Sequence, residues 1–82
     1  MTKTNLKLVL DTEHFDPKVY SLEGGIQNDR LCLSSENGIW SVYYTERGVI
    51  FDEQRFMSES DACEELLRRL RELPQDQTRL CL

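Results

Sequence analysis

Near the start of the chain, Leu6, Val9 and Leu10 recur at i, i+3 and i+4. That spacing predicts a helix over residues 4–14, with Thr4 as its N-cap. Asp16-Pro17 can cap and open one further helical turn through Val19-Tyr20, because proline presets the φ of a first helical residue. Gly24-Gly25 then breaks the chain, and Asn28-Asp29 is a second turn signal.

From Leu31 the period changes to two. Leu31 and Leu33 alternate with Cys32 and Ser34, which predicts a strand. Asn37-Gly38 follows as a hairpin signal, since both central positions of a type I′ turn need positive φ. Residues 39–46 are rich in β-formers: Trp40, Val42, Tyr43, Tyr44 and Thr45. Arg47-Gly48 is another tight reversal, and Val49, Ile50 and Phe51 begin a third strand that runs toward Phe56. On the second strand, Trp40, Val42 and Tyr44 share the face expected to enter the core. Ile39, Ser41, Tyr43 and Thr45 share the other.

The last element has the clearest pattern. Ser58 can cap a helix whose third residue is Asp61, with Met57 and Ala62 placed as a hydrophobic staple. Ala62, Cys63, Leu66, Leu67, Leu70 and Leu73 make one apolar stripe at helical spacing. Glu59, Asp61, Glu64 and Glu65 lie near its start and Arg68, Arg69 and Arg71 near its end, which complements the helix dipole. Pro74 stops it. The expectation is an α+β fold: an N-terminal helix, a three-stranded antiparallel meander and a C-terminal helix, with both helices on one face of the sheet. Residues 1–74 form the single domain and 75–82 a loose tail.

Composition narrows the function. At 82 residues, 39% of them hydrophobic, the core is small or supplemented by a homodimer interface. The net charge of −5 argues against direct binding to nucleic acid. The charge is uneven: residues 1–19 balance, residues 20–65 carry a net −7, and residues 66–82 return +2. An acidic middle suits a basic protein partner, or it serves only as a solvated face. Cys32, Cys63 and Cys81 include no C-x-x-C pair, so neither a disulfide framework nor a zinc site is indicated. With no apolar run long enough to span a bilayer, no membrane association and a cytoplasmic location are expected.

Catalytic constellations are missing. His14 is the only histidine and has no metal-binding or nucleophile-activating motif around it. Gly24-Gly25 resembles no phosphate-binding loop. Asp52-Glu53 and Glu64-Glu65 are adjacent pairs, and neighbours point to opposite faces of a strand, or about 100° apart on a helix. No catalytic residue, metal or cofactor is therefore expected. A small enzyme using these acid pairs is the least favoured reading.

Three stretches carry a family resemblance. They are Asp16-Pro17 with Tyr20-Ser21-Leu22-Glu23-Gly24-Gly25, then Asn28-Asp29-Arg30-Leu31-Cys32-Leu33, then Trp40-Ser41-Val42-Tyr43-Tyr44-Thr45-Glu46-Arg47-Gly48 leading to Phe56-Met57-Ser58-Glu59-Ser60-Asp61-Ala62-Cys63. Over about residues 14–70 the chain resembles small immunity proteins of bacterial polymorphic and contact-dependent inhibition systems. These include Maf-type systems, whose toxins include EndoU-like ribonucleases. The resemblance implies a protein that binds and neutralises a cognate toxin, a basic nuclease, without a cofactor. An adaptor or antitoxin-like module with a non-nuclease partner is the alternative. Charge and expected exposure, rather than the resemblance, nominate the partner-facing residues: Glu23, Asp29, Glu36, Glu46, Asp52 and Glu53, with Tyr43 either an anchor or a cross-strand packing residue.

Overall fold

A computed structural model describes residues 1–25 and 29–74. Helix α1 spans Lys3–Thr12, a 3-10 turn spans Pro17–Val19, and strands β1 to β4 span Tyr20–Ser21, Arg30–Glu36, Ile39–Glu46 and Val49–Phe56. Helix α2 spans Glu59–Glu72. The architecture is α+β as the pattern predicts, with one strand more. The extra strand, β1, pairs in parallel with β2, Tyr20 beside Leu31 and Ser21 beside Cys32. The sheet order is β1-β2-β3-β4, which leaves β4 as a full-length outer edge. The expected tail and Cys81 lie outside the described residues.

Local chemistry explains most of the boundaries. Thr2, not Thr4, caps α1, accepting from the Asn5 N–H, so the helix begins and ends earlier than the apolar spacing alone suggests. Asp16 caps the 3-10 turn through the Lys18 N–H, with Pro17 at its first position. Arg47 and Gly48 have φ of 53° and 79°, the two positive values that let β3 reverse into β4 with the sheet's twist. Ser58 accepts the Asp61 N–H at the start of α2. Met57 is 89% exposed, so the hydrophobic staple expected with Ala62 does not form.

The core lies between the sheet and the helices. Leu6 and Leu10 from α1 meet Ala62, Cys63, Leu66, Leu67 and Leu70 from α2 over Leu31, Leu33 and Val42. Phe15 and Tyr20 close one side. Trp40, Tyr44 and Phe56 pack against this cluster half-buried, so Val42 is the one residue of the expected strand face that is fully enclosed. Leu73, placed in the stripe by spacing, instead forms the C-cap and is 39% exposed. No helix among the described residues is long and apolar enough to cross a membrane.

Candidate protein-docking surface

The register of β3 and β4 breaks once. Val42 pairs with Gln54 and Tyr44 with Phe51, so Asp52 and Glu53 together oppose Tyr43. This is a β-bulge, and Asp52 takes the positive φ it requires, 53°. Asp tolerates that region better than most residues, because its short side chain can bond locally. The bulge is held from α2: Arg69 donates to the Asp52 carbonyl at 3.0 Å and to Gln54 Oε1 at 3.3 Å. Glu65 positions Arg69 at 2.7 Å while also bonding Arg68. Bonds from Arg68 and Arg69 outweigh partial burial and hold the Glu65 carboxyl at about 2.

The sheet face away from the helices is not bare. Tyr43 points to that side, as its pairing with Cys32 requires, yet it is only 5% exposed. Its hydroxyl donates to the Gly25 carbonyl at 2.9 Å, and burial raises its pKa. Gly24 lies over the same spot with φ 72°, and a Cβ there would stand 3.2 Å from both Ser34 Cβ and Ser34 Oγ. The chain around Gly24-Gly25 thus folds over Tyr43 and Ser34. Of the two roles open to Tyr43, the geometry gives it packing and leaves almost no surface for an anchor.

The acidic residues of the middle segment do not form one patch. Glu23 lies beside α1 in an ion pair with Lys3 at 3.1 Å. Glu36 is at the β2–β3 hairpin end, where it lines a shallow groove with Ile39, Ile50, Glu53 and Arg55. Glu53 there has a loose ion pair with Arg55 at 3.7 Å. Asp29 and Glu46 lie near the Tyr44 hydroxyl, and Asp52 lines a groove on the same side chain. Asp29, in the turn before β2 with φ 56°, accepts from the Tyr44 hydroxyl at 3.3 Å. Burial first, then the charges of Asp29 and Glu46, raise the Tyr44 pKa. Asp52 lines a groove with Tyr44, Leu31 and Leu73, to which Arg68, Arg69 and Glu72 also contribute.

Beside this trio lies apolar surface. Val49, Ile50 and Phe51 are 51%, 43% and 44% exposed at the start of the outer strand. Phe51 pairs with Tyr44 and Val49 with Glu46, so aromatic, aliphatic and acidic side chains alternate over the same corner. The anionic side chains of Asp29, Glu46 and Asp52 make no ion pair among the described residues. The helices, by contrast, neutralise their own charge through pairs such as Lys7–Asp11, Arg68–Glu72 and Arg71–Glu13. Tyr44 and Phe51 were not among the nominated residues. The available signal was Val49-Ile50-Phe51 itself, three consecutive apolar residues where a half-exposed strand should alternate.

Two other features bear on chemistry. Cys32 and Cys63 are buried free thiols whose pKa values are raised by burial, which favours inert packing over reactivity. Among the described residues, no group of three or more His, Cys, Asp or Glu side chains is arranged to hold a metal ion. The corner around Tyr44 can offer negative charge, aromatic surface and an open strand edge, the equipment of a protein-binding surface. No family model, curated protein or solved structure matches this chain.

Proposed function

We propose that this chain is an immunity protein that binds a cognate basic toxin, a ribonuclease, in the cytoplasm of the producing cell and blocks it by protein–protein contact. The observation that carries this reading is the corner of Asp29, Glu46 and Asp52 around half-exposed Tyr44 and Phe51. Carboxylates that make no ion pair among the described residues raise the encounter rate with a basic surface, and an aromatic beside them supplies the desolvated contact that slows release. A nuclease must itself present a basic groove to bind RNA, so an acidic inhibitor has a ready complement. The resemblance of residues 14–70 to immunity proteins points the same way.

The test is inhibition of a defined toxin. The gene beside this one should encode a large secreted protein with a variable C-terminal domain. That domain, purified, should degrade RNA and lose its activity on addition of one equivalent of this chain. A toxin domain that neither binds this chain nor is inhibited by it removes the immunity reading. Binding without any nuclease activity moves the chain to the adaptor class.

A further inference from the structure

β4 spans Val49–Phe56 at the outside of the sheet, and seven of its eight residues are exposed. Its main-chain donors and acceptors directed away from β3 have no strand opposite them among the described residues. Natural edges are usually blunted by charge, by a bulge or by proline. β4 has the first two devices, but only from Asp52 onward. The bulge interrupts the ladder there, and Arg69 already occupies the Asp52 carbonyl. Val49, Ile50 and Phe51 carry neither device. Their side chains are apolar on both faces, Val49 and Phe51 toward the helices and Ile50 away from them. That two-sided pattern belongs to strands enclosed by neighbours, and this strand has one neighbour only.

We infer that Val49–Phe51 is an acceptor edge to which a basic partner protein adds a strand, a mode of contact that rests on the inhibitor reading above. Charge selects the occupant. Two copies could pair β4 with β4 antiparallel, keeping like faces together on both sides of the bulge. That register sets Asp52 against Glu53 of the partner subunit, twice by symmetry, and like charges directly opposite destabilise a ladder. A foreign strand has no such conflict. With apolar residues opposite Val49 and Phe51 and a Lys or Arg opposite Asp52, it meets two half-exposed side chains and a carboxylate that makes no ion pair among the described residues. Main-chain bonds then supply affinity, and the charge supplies register.

Amide hydrogen exchange on the full chain tests this, with a short capped peptide of valines and threonines flanking a central lysine pair. Addition of the peptide should slow exchange of the Ile50 amide, the one of residues 49–51 directed away from β3, by about tenfold. Methylating the peptide's alternate amides along one edge should abolish the effect, while methylating those along the other edge should preserve it. The inference is overturned by protection that ignores both methylation patterns, by protection only elsewhere, or by none. Protection without peptide, together with a sedimentation mass twice 9.6 kDa, would make a second copy the occupant and also overturn it. The neighbouring toxin domain separates this proposal from the one it rests on. Calorimetric binding with unchanged β4 exchange sinks strand addition alone. Peptide-dependent protection without toxin binding sinks the inhibitor reading alone.

Discussion

Arg69, on the last helix, reaches across to the outer strand and donates to the main-chain carbonyl of Asp52 at 3.0 Å, fixing the bulge that shapes that edge. The same guanidinium is oriented by Glu65 at 2.7 Å, so a carboxylate on α2 and a strained residue on β4 form one chain of contacts. Helix packing and edge geometry are thereby coupled. Arg69→Ala should cost about 1–2 kcal/mol, since it removes the bonds of this partly exposed guanidinium to Asp52, Gln54 and Glu65 and leaves Glu65 with Arg68 alone. Chemical denaturation measures the loss. The amides of residues 52–54 should exchange faster in this variant than those of β2.

Glu65 also sets an acid limit. Its folded pKa of about 2 lies below the ordinary 4.5, so the unfolded chain binds its proton first as pH falls. The stabilisation is fully present above pH 4.5 and is lost as pH drops toward 2. Arg68 is half exposed, so solvent reduces the contribution to about 1–2 kcal/mol. Denaturant midpoints taken across that range should fall less for Glu65→Gln than for the wild type. Equal acid slopes in the two proteins would remove Glu65 from the cause.

Tyr20 is 5% exposed and its hydroxyl makes no hydrogen bond among the described residues. A buried donor left unpaired costs about 1–3 kcal/mol. Tyr20→Phe should therefore leave the unfolding free energy unchanged or raise it. A loss greater than about 1 kcal/mol would mean that the hydroxyl has a partner.

Much of this architecture was legible in the residues. Asn37-Gly38 and Arg47-Gly48 mark their hairpins because few residue pairs accept two positive φ values, 53° and 80° in the first turn. The apolar stripe of α2 declares its buried face directly. β1 left no trace, since two residues cannot display a period and their partner in β2 is set by the fold. Tyr43 and Tyr44 show the limit at the site. Alternation assigned their faces correctly, but exposure followed from distant events. The chain at Gly24-Gly25 covers Tyr43, while Tyr44 sits at a corner that the helices leave open. Likewise, charge counting found an acidic segment, yet it could not tell that Glu23 would pair with Lys3 while Asp29 and Glu46 would meet at the hydroxyl of one tyrosine.

The bulge makes a sharper prediction at Asp52. At φ 53°, a β-branched side chain meets its own backbone, whereas Asn or Gly does not. Asp52→Val should cost about 1–2 kcal/mol, and Asp52→Asn should be close to neutral in stability. Thermal unfolding of the pair separates backbone strain from charge, and it establishes Asp52→Asn as a folded, charge-removing variant. Equal stability of the two would argue that residue 52 does not hold this conformation in solution.

That variant permits the most direct test of charge-guided docking. Stopped-flow association with the neighbouring toxin domain would be followed at low and at physiological ionic strength. Wild type would be compared with Glu46→Lys plus Asp52→Asn, two positions that make no ion pair among the described residues. Docking through the Tyr44 corner predicts association about tenfold slower at low salt and a flatter salt dependence, with the fold intact by circular dichroism. Association rates and salt slopes that match those of the wild type would contradict it and leave these carboxylates with no part in recognition.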